Sequence, residues 1–303
     1  MKQALRWTAF AIVLVLTIAV LALATNGAVR NRTCLVLARV WRSDGGRGMP
    51  LGLARLLRPA VPVWVELEPH VHMRLDPSDY LDHTILVTGA WEPDTWNGLS
   101  QSIPKGGVFV DLGAHVGYYS LKAAAMVGPS GRVLAVEPNP ETLRKLRANI
   151  RESGAAQVVV EPVACSDSEG VVDFFASPRE NTSASSMSKV NAAQGNSVSA
   201  TYRVRTRRLD DIVRESGVTR VDVIKIDVEG AELLVLKGAG ETLDRYHPVV
   251  EVELIDEQLA SMGASSAQVI AFLRSHGYAV RHVYGEFHNT EFAFAPGVTG
   301  VAK

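Results

Sequence analysis

The sequence predicts an α/β fold: a doubly wound, Rossmann-like sheet, mostly parallel with an antiparallel C-terminal hairpin, preceded by one N-terminal transmembrane helix. Three observations carry this prediction. From Val108 onward, short apolar runs rich in β-branched residues alternate with helical segments, as in a parallel sheet covered by helices. Acidic residues follow several of these runs, at the edge where such sheets bind ligands. The stretch Trp7–Ala24 is uncharged and nearly long enough to span a bilayer.

The region around the first glycine turn defines the centre of the predicted sheet. Val108–Val110 is short and apolar enough for a buried strand, and Asp111 ends it. Gly113 and Gly117 then allow positive φ and a close approach of the backbone to a ligand. An alanine-rich helix is predicted over Tyr118–Val127, and its start offers free N–H groups and a positive dipole end to an anionic group.

The second strand of this unit, Arg132–Val136, ends at Glu137, whose carboxylate can accept both hydroxyls of a ribose. A nicotinamide-binding turn needs the pattern G-x-G-x-x-G, and His115 occupies the place of its second glycine. The spacing D-x-G-x-x-x-G, with an acid at the end of the next strand, suits S-adenosylmethionine better. A turn without a ligand would leave both acids unexplained.

Composition limits the classes of function. The chain has 303 residues, 47% hydrophobic and 21% charged, enough for one globular domain with additional segments. Its net charge of -1 argues against a nucleic-acid groove as the main binding surface. The cysteines, Cys34 and Cys165, are too few and too far apart to suggest a disulfide framework or a zinc site. We expect both to be small buried apolar residues in a reducing compartment.

The N-terminal segment predicts a membrane anchor. Lys2 and Arg6 precede Trp7–Ala24, and further arginines follow it between residues 30 and 42, so the positive-inside rule places the C-terminal side in the cytoplasm. A cleaved signal peptide is the competing interpretation, because the small residues of Ala22–Ala24 suit a cleavage site. The chain therefore divides into an anchor or signal peptide over residues 1–25, a basic linker over 26–60 and a globular domain over 61–303.

The segment before the first glycine turn is predicted to be mostly extended. Residues 61–96 contain alternating apolar positions, interrupted by turns at residues 76–77 and 91–93. A short helix is predicted over Asn97–Ile103, and a Gly-Gly turn leads from it into the central strand.

After the second strand, the alternation of helices and strands continues. A helix is predicted to begin at Pro140, with Asn139 as its N-cap. A third strand is predicted from Val158 to Cys165, and Asp167 follows at its end.

Two strand-like runs then flank a polar segment. The runs are Val171–Ala176 and Tyr202–Leu209, and the segment Ser177–Ser199 between them is rich in Ser, Asn and Ala. We expect this segment to be a mobile loop near the mouth of the pocket, with plain disorder as the competing interpretation.

The remaining elements complete the predicted sheet in the order strand, helix, strand, helix, hairpin: Asp222–Ile226, Ala231–Leu243, Val249–Leu254, Ser266–His276, and Tyr278–Tyr284 with Thr290–Ala295. Asp227 follows the first of these strands. Acids are therefore expected beyond the carboxyl ends of four strands, the others being Asp111, Glu137 and Asp167. Chance packing does not readily explain that repetition.

Five motifs resemble, in this order, those of FkbM-type methyltransferases: VDLGAHVGYYS, AVEPNP, ACSDSEG, TRRLDDI and IKIDVEGAELLVLKGA. The resemblance covers roughly residues 73–296, and IDVEGAE together with the glycine turn is its most specific part. It implies a class I methyltransferase fold, S-adenosylmethionine as cofactor, and an enzyme of a family that mostly O-methylates sugars or natural products. The N-terminal segment lies outside the resemblance.

The resemblance also implies roles for single residues in binding the cofactor. Asp111, Gly113 and Gly117 would hold its methionine end. Glu137 would take the ribose hydroxyls, and Asp167 would lie beside the adenine.

His115 is included among the expected cofactor-binding residues. It stands where many class I methyltransferases have glycine, and the pattern of the FkbM family tolerates a larger residue there.

The expected chemistry adds two candidate catalytic residues. Methyl transfer from a sulfonium is an in-line displacement governed by positioning, and a hydroxyl acceptor also needs a base. Asp227 and Glu229 flank the methyl-donor region and are expected to act as base or to orient the acceptor. Alternatively, Asp227 contacts only the cofactor and Glu229 caps the following helix. Glu251 and Glu253 could bind a divalent ion with Asp227, but solvation at a strand edge is favoured and no metal is expected.

The sequence therefore predicts a single-pass, membrane-anchored, cytoplasm-facing O-methyltransferase that acts on a hydroxyl of a sugar, glycolipid or natural-product acceptor. The expected partners are a small-molecule or glycan acceptor, lipid-linked sugars included, and the membrane, but no nucleic acid. A catalytically silent, membrane-tethered binding module of the same fold is the alternative. A nicotinamide oxidoreductase is opposed by His115 and Asp111. The acceptor, and the choice between O- and N-methylation, stay open at this point.

Overall fold

A computed structural model describes residues 61–194, 196–284 and 289–294 of the chain. The predicted membrane helix and basic linker lie outside these residues. Within them, no helix combines the length and the apolar character that a bilayer span requires. The described residues fall into two units, one with residues 61–65 and 74–91, and the other with residues 66–73 and those from 92 onward.

The described strands are β1 Val63–Glu68, β2 Val71–Leu75, β3 Val108–Leu112, β4 Arg132–Val136, β5 Val158–Glu161, β6 Ala164–Cys165, β7 Gly170–Ala176, β8 Ala200–Arg207, β9 Val223–Ile226, β10 Val249–Glu253, β11 Ala279–Tyr284 and β12 Asn289–Phe294. The described helices are α1 Tyr80–Thr88, α2 Pro93–Ser100, α3 Tyr118–Val127, α4 Pro140–Glu152, α5 Lys189–Ala193, α6 Leu209–Ser216, α7 Glu232–Lys237, α8 Gly240–Tyr246, α9 Asp256–Ser261 and α10 Ser266–Ser275. A 3-10 helix, Arg179–Ala184, precedes α5.

The prediction of extended structure over residues 61–96 is right for β1 and β2 and wrong after Leu75. Residues 80–88 form α1 instead. The carboxylate of Asp79 caps this helix by accepting a hydrogen bond from the backbone N–H of Asp82 at 3.0 Å. Gly89 closes it in the left-handed conformation, with φ 83°.

The helix before the central strand begins four residues earlier than predicted. Pro93 stands in its first turn, where a missing backbone N–H costs nothing, and α2 ends at Ser100 instead of Ile103. Glu92 precedes it with φ 42°, so the chain turns sharply into the helix.

The central sheet of the larger unit confirms the predicted Rossmann-like, mostly parallel arrangement. Its described strands have the order β11-β12-β10-β9-β3-β4-β5. The strands from β10 to β5 pair in parallel, and β12 pairs antiparallel with both β10 and β11. The chain runs outward from β3 to β5 and then returns to β9, so the strand order reverses beside β3. In such sheets the ligand crevice lies at this switch point, beyond the carboxyl ends of the strands.

The two faces of this sheet differ in polarity. On one face, Val110, Ile224 and Val250 belong to the main apolar cluster, together with residues of α6, α7 and α10. Because side chains alternate along a strand, the next residues point to the opposite face. There, Asp111 and Glu251 flank Lys225 in register on the two neighbouring strands, so three charged residues cross the centre of the sheet in one row.

The prediction of one third strand from Val158 to Cys165 is wrong. Pro162 has no backbone N–H to donate to a ladder, and the strand breaks there. β5 ends at Glu161 in the central sheet, whereas β6 pairs with β8 in a separate three-stranded sheet of order β6-β8-β7. Cys165 in β6 is buried, as predicted, and burial raises the pKa of its thiol to about 12.

The helix predicted over residues 231–243 is two helices, α7 and α8. Gly238 separates them, and a Cβ there would lie 2.1 Å from the backbone oxygen of Ser166. The glycine therefore allows this turn to pack closely against the end of β6.

Candidate active site

The glycine turn after β3 is held between the ends of β4 and β9. The backbone N–H groups of Gly113 and Ala114 both donate to the carbonyl of Val136 at 3.0 Å. Gly113 has φ 85°, and a Cβ there would lie 1.8 Å from the carbonyl oxygen of Asp227. Gly117 has φ 94°, and a Cβ there would lie 2.6 Å from the Leu146 side chain. Both positions therefore require glycine, as the sequence predicts.

His115 in the same turn also adopts the left-handed conformation, with φ 48°. Its backbone N–H donates to Glu137 Oε2 at 2.9 Å. Its ring Nε2 lies 2.9 Å from Thr182 Oγ1, within the polar segment between β7 and β8. The histidine thus occupies a backbone conformation that favours glycine and uses its ring to bind another segment of the chain.

Glu137, one residue beyond β4, is held in a fixed orientation. Its second carboxylate oxygen, Oε1, accepts from the backbone N–H of Asn139 at 2.8 Å. The residue is only 5% exposed, and burial raises the pKa of its carboxyl group to about 7 although the two backbone N–H groups oppose this shift. Each oxygen keeps a further lone pair for a ligand hydroxyl.

Asp111 lies within β3 and is buried. Its Oδ2 accepts from the Ser120 hydroxyl at 2.5 Å, and within the described residues its Oδ1 has no hydrogen-bond partner. Burial raises the pKa of this carboxyl group, while the ammonium of Lys225 opposes the rise. The acid therefore offers an acceptor atom beneath the glycine turn.

Asp227 begins the turn after β9, directly against the glycine turn. Its backbone N–H donates to the carbonyl of Leu112 at 3.1 Å. Its carboxylate accepts from the ammonium of Lys225 at 2.8 Å, and its side chain is 26% exposed. The side chain of Asp227 thus has a fixed orientation and remains accessible to a ligand.

Glu229, the second expected catalytic residue, does not cap α7. The carboxylate of Glu232 does so, accepting from the backbone N–H groups of Val228 at 3.3 Å and Gly230 at 3.0 Å. The carboxylate of Glu229 instead accepts from the side-chain amide of Gln258 at 2.5 Å. Burial first, and then the neighbouring carboxylates, raise the pKa of Glu229 well above its ordinary value.

Asp167 does not stand at the end of a strand of the central sheet. It follows β6, is exposed, and accepts from the hydroxyls of Ser166 and Ser168. The acid at the end of the third central strand is Glu161. The role of Asp167 beside the adenine stays a prediction.

Sequence reasoning missed the charged row beneath the site. Lys225 is 2% exposed, and its ammonium lies 4.6 Å from the ring centroid of Tyr119. The hydroxyl of that tyrosine donates to Glu92 Oε2 at 2.7 Å. The sequence feature that could have predicted this row is the presence of a charged residue, Lys225 or Glu251, inside each of two otherwise apolar strands.

The prediction that Glu251 is solvated at a strand edge is wrong. β10 lies between β9 and β12, so Glu251 is 2% exposed, and burial raises the pKa of its carboxyl group to about 8. The described residues contain no group of three or more His, Cys, Asp or Glu side chains arranged to hold a metal ion.

The polar segment of residues 177–194 and 196–199, called here the cover segment, is hydrogen-bonded to the site. The side chains of Ser186 and Asn191 both donate to the carbonyl of Glu229, at 2.7 and 2.8 Å. Ser188 accepts from the Ser261 hydroxyl at 2.8 Å. The described part of this segment contains the 3-10 helix and α5, so a loop without helices and plain disorder are wrong descriptions of it. The predicted mobility of the segment stays a prediction.

Residues 111–280, more than half of the chain, match the family model of the methyltransferase FkbM domain. The chain belongs to the FkbM methyltransferase family. S-adenosylmethionine is therefore its cofactor, and methyl transfer is its reaction class. The matched region begins at Asp111 and includes the glycine turn, Glu137, Asp227 and the cover segment.

Three curated proteins are distant relatives of this FkbM enzyme. AMB antimetabolite synthetase AmbE of Pseudomonas aeruginosa is 27% identical over an alignment of 252 positions, and this alignment covers 72% of this chain and 12% of AmbE. Hexuronic acid methyltransferase AglP of Haloferax volcanii is 29% identical over 159 residues, 52% of this chain and 61% of AglP. 2-O-methyltransferase NoeI of Sinorhizobium fredii is 28% identical over 165 residues, 50% of this chain and 67% of NoeI. The similarity thus spans less than two thirds of AmbE and AglP.

The residues of this FkbM site fit the cofactor. The turn leaves no room for a side chain at Gly113, and the unpartnered Oδ1 of buried Asp111 offers an acceptor suited to an ammonium group. The carboxylate of Glu137, fixed by two backbone N–H groups, can accept hydroxyls of a ribose. These residues, with His115 and Gly117, form the set that we assign to cofactor binding below.

Proposed function

We propose that this enzyme transfers the methyl group of S-adenosylmethionine to a hydroxyl of a sugar or sugar-bearing natural product, with Asp227 as the base. One observation carries the proposal. The turn that bears Asp227 packs against the glycine turn so closely that a Cβ on Gly113 would meet the Asp227 carbonyl at 1.8 Å. Its carboxylate, 26% exposed, therefore stands beside the methyl-donor region and within reach of an acceptor.

The acceptor class is supported by the printed names of two relatives. AglP is a hexuronic acid methyltransferase and NoeI is a 2-O-methyltransferase. The name of NoeI states O-methylation, and the name of AglP states a sugar acid as its substrate. The carboxyl groups of Asp227 and Glu229 are also suited to hold a polyhydroxylated acceptor through hydrogen bonds.

In the proposed mechanism, S-adenosylmethionine supplies a methyl group carried on a sulfonium sulfur. Asp111, Gly113, His115, Gly117 and Glu137 hold the cofactor in place. Asp227 would accept the proton of the acceptor hydroxyl while the acceptor oxygen bonds to the methyl carbon, and it would later return that proton to water. The carbon–sulfur bond of the cofactor would break in the same step and leave the sulfur as a neutral thioether. Positioning of the two reactants provides most of the remaining rate.

We propose an orienting role for Glu229 instead of a second base. The raised pKa of its carboxyl group favours the neutral form, and a neutral carboxyl can donate a hydrogen bond to an acceptor oxygen. The amide of Gln258 fixes the other oxygen of this group. The base and the orienting acid would then be two residues apart on one turn.

Methyl turnover on a defined panel of acceptors tests the proposal. Full-length protein is incubated with methyl-labelled S-adenosylmethionine and neutral, amino and uronic methyl glycosides, and the products are located by mass spectrometry. We expect an O-methylated sugar. The Asp227→Asn variant should lower kcat by about 100- to 10,000-fold with cofactor binding retained. Asp173→Asn, in exposed strand β7, is the matched control. Methyl transfer only to nitrogen, or unchanged kcat in Asp227→Asn, would overturn the proposal.

We also propose that residues 1–25 anchor the enzyme, that residues 61–303 form its methyltransferase domain in the cytoplasm, and that lipid-linked sugars are among its acceptors. The uncharged segment Trp7–Ala24 and the basic residues around it support this topology. Carbonate extraction of membranes and C-terminal reporter fusions test it. Release of the full chain into the soluble fraction, or a reporter active only outside the cytoplasm, would contradict it.

A further inference from the structure

Lys225 is a charged residue in the centre of the sheet and is only 2% exposed. It lies in β9, in register with Asp111 of β3 on one side and Glu251 of β10 on the other. Residues paired in register on neighbouring strands point to the same face, so both carboxyl groups flank the lysine. Its ammonium donates to Asp227 Oδ2 at 2.8 Å and lies over the ring of Tyr119.

This lysine is a permanent cation. Burial alone would lower the pKa of its ammonium, but the carboxylates of Asp227 and Glu251, followed by that of Asp111, outweigh burial and raise the pKa. A buried ion persists only where it is paired, and breaking the pair leaves the partner charge uncompensated. The partner with access to a ligand is Asp227.

We propose that Lys225 is a positioning residue for methyl transfer: it fixes the Asp227 carboxylate at the methyl-donor turn and keeps that carboxylate ionised and ready to accept a proton. This inference rests on the proposed role of Asp227 as the base. The side chain of Asp227 is short, so an ion pair with a buried residue restricts the positions that its carboxylate can take. Lys225, two residues earlier in the chain, holds it through the 2.8 Å ion pair.

Around this pair, the other titratable groups that the structure describes carry no positive charge. The titratable neighbours in the surrounding elements are Glu92 before α2, Asp111 in β3, Tyr119 in α3, Glu229 after β9, Glu232 in α7, and Glu251 and Glu253 in β10. All are neutral or negative. Within the described residues, Lys225 therefore supplies the positive charge of this cluster.

Lys122 provides a matched control. It is a second buried lysine in the same unit, on α3, and it pairs with Glu68. Its ammonium also lies over aromatic rings, 4.7 Å from the centroid of Trp96 and 5.2 Å from that of Tyr118. Loss of this lysine tests the cost of removing a buried charge without touching Asp227.

The test is a carboxyl titration that needs no acceptor. Full-length protein labelled with ¹³C at aspartate carboxyl groups is titrated by NMR, and Asp227→Asn assigns the resonance of Asp227. In Lys225→Met, the midpoint of the Asp227 titration should rise by about one to three pH units, since an opposite charge at this distance favours the ionised form. Lys225→Arg should keep it near the wild-type value, and Lys122→Met should leave it unchanged.

The outcomes separate a positioning role from a structural one. An equal midpoint in wild type and Lys225→Met, or an equal shift in Lys122→Met, would overturn the inference. If Lys225→Met does not fold, the wild-type protein decides. The ¹⁵Nζ resonance of Lys225 should shift at the midpoint of the Asp227 titration, and a shift at an independent midpoint would refute the pairing. Because no sugar is used, failure of the acceptor assay leaves this result readable.

Discussion

Glu137 and Glu251 are both nearly inaccessible to solvent, yet their surroundings differ. Glu137 accepts two backbone N–H groups at the end of β4, whereas Glu251 Oε2 has no hydrogen-bond partner within the described residues. Burial raises the pKa of both carboxyl groups, to about 7 and about 8. The first group is organised for a ligand. The second group destabilises the folded protein when it ionises, so its effect depends on pH.

Removal of the Glu137 carboxylate should weaken cofactor binding. We expect Glu137→Ala to raise the Kd for S-adenosylmethionine by about 10- to 100-fold, because hydrogen bonds to a charged group are worth about 1.5–3 kcal/mol. Calorimetric titration measures this change. Glu152→Ala, at the exposed end of α4, is the control, and equal affinity in the two variants would contradict the assignment.

Glu251 should make the protein less stable as pH rises. The folded state holds a proton on this carboxyl group up to a pKa of about 8, while the unfolded chain releases it near 4.5. The contribution of Glu251 to the free energy of unfolding therefore falls as pH rises from about 4.5 to about 8, and it stays low above pH 8. In Glu251→Gln, which stays neutral, the unfolding free energy relative to wild type should improve by roughly 2–4 kcal/mol between pH 5 and 9.

Denaturant unfolding at both pH values measures this difference. Glu257→Gln is the matched control, because this residue in α9 is exposed and loses little solvation on folding. If the free energy of unfolding of Glu251→Gln relative to wild type decreases as pH rises, the account of Glu251 is refuted.

At the scale of elements, the cover segment depends on a few hydrogen bonds. Asn191, in the middle of α5, donates to the carbonyl of Glu229 at 2.8 Å and to that of Gln258 at 3.2 Å. α5 itself has five residues, too short to be stable alone. Its position is therefore set by contacts to the turn after β9 and to α9.

Asn191→Ala should loosen the cover segment while leaving the sheet intact. It leaves two carbonyl groups without this donor, so we expect local opening to become about 10-fold more frequent. Hydrogen exchange of amides 186–194, compared with those of β3, measures this. Asn196→Ala, in an exposed part of the same segment, should have little effect. Equal protection in both variants would argue against the role of Asn191.

At the scale of the whole larger unit, the site exists because two turns from distant parts of the chain meet. The turn after β3 and the turn after β9 touch at Gly113 and Asp227, through parallel pairing of the two strands. Their contact brings the cofactor residues beside the proposed base. A substitution that separates the two turns at this contact should therefore weaken cofactor binding, in addition to straining the backbone locally.

Gly113→Ala should abolish stabilisation by the cofactor. S-adenosylmethionine at about 100 times its Kd should stabilise the wild-type protein by about 2.7 kcal/mol. The alanine Cβ would collide with the Asp227 carbonyl and force the turns apart. Gly217→Ala is the control, since φ is 70° there and a Cβ meets nothing within 4 Å. Thermal unfolding with and without cofactor distinguishes them, and an unchanged cofactor-induced rise of Tm in Gly113→Ala would contradict this account.

The sequence by itself determined the local features whose causes are local. Strand β3, the glycine turn, α3 and β4 follow from apolar runs and glycine spacing, and α4 follows from Asn139 and Pro140. The motifs also led to the right family. The prediction from sequence failed at α1, where the residue pattern of a capped helix resembles that of an alternating strand. It also failed at Pro162, where β5 has already ended.

Only the tertiary structure decided which charges meet. Lys225, Asp111 and Glu251 are far apart in sequence, and strand register places them in one buried row. The contact of Thr182 with His115 likewise depends on how the cover segment folds back. Sequence periodicity reports which face a residue occupies, but the order and register of strands decide its neighbours, and those neighbours set its charge and its chemistry.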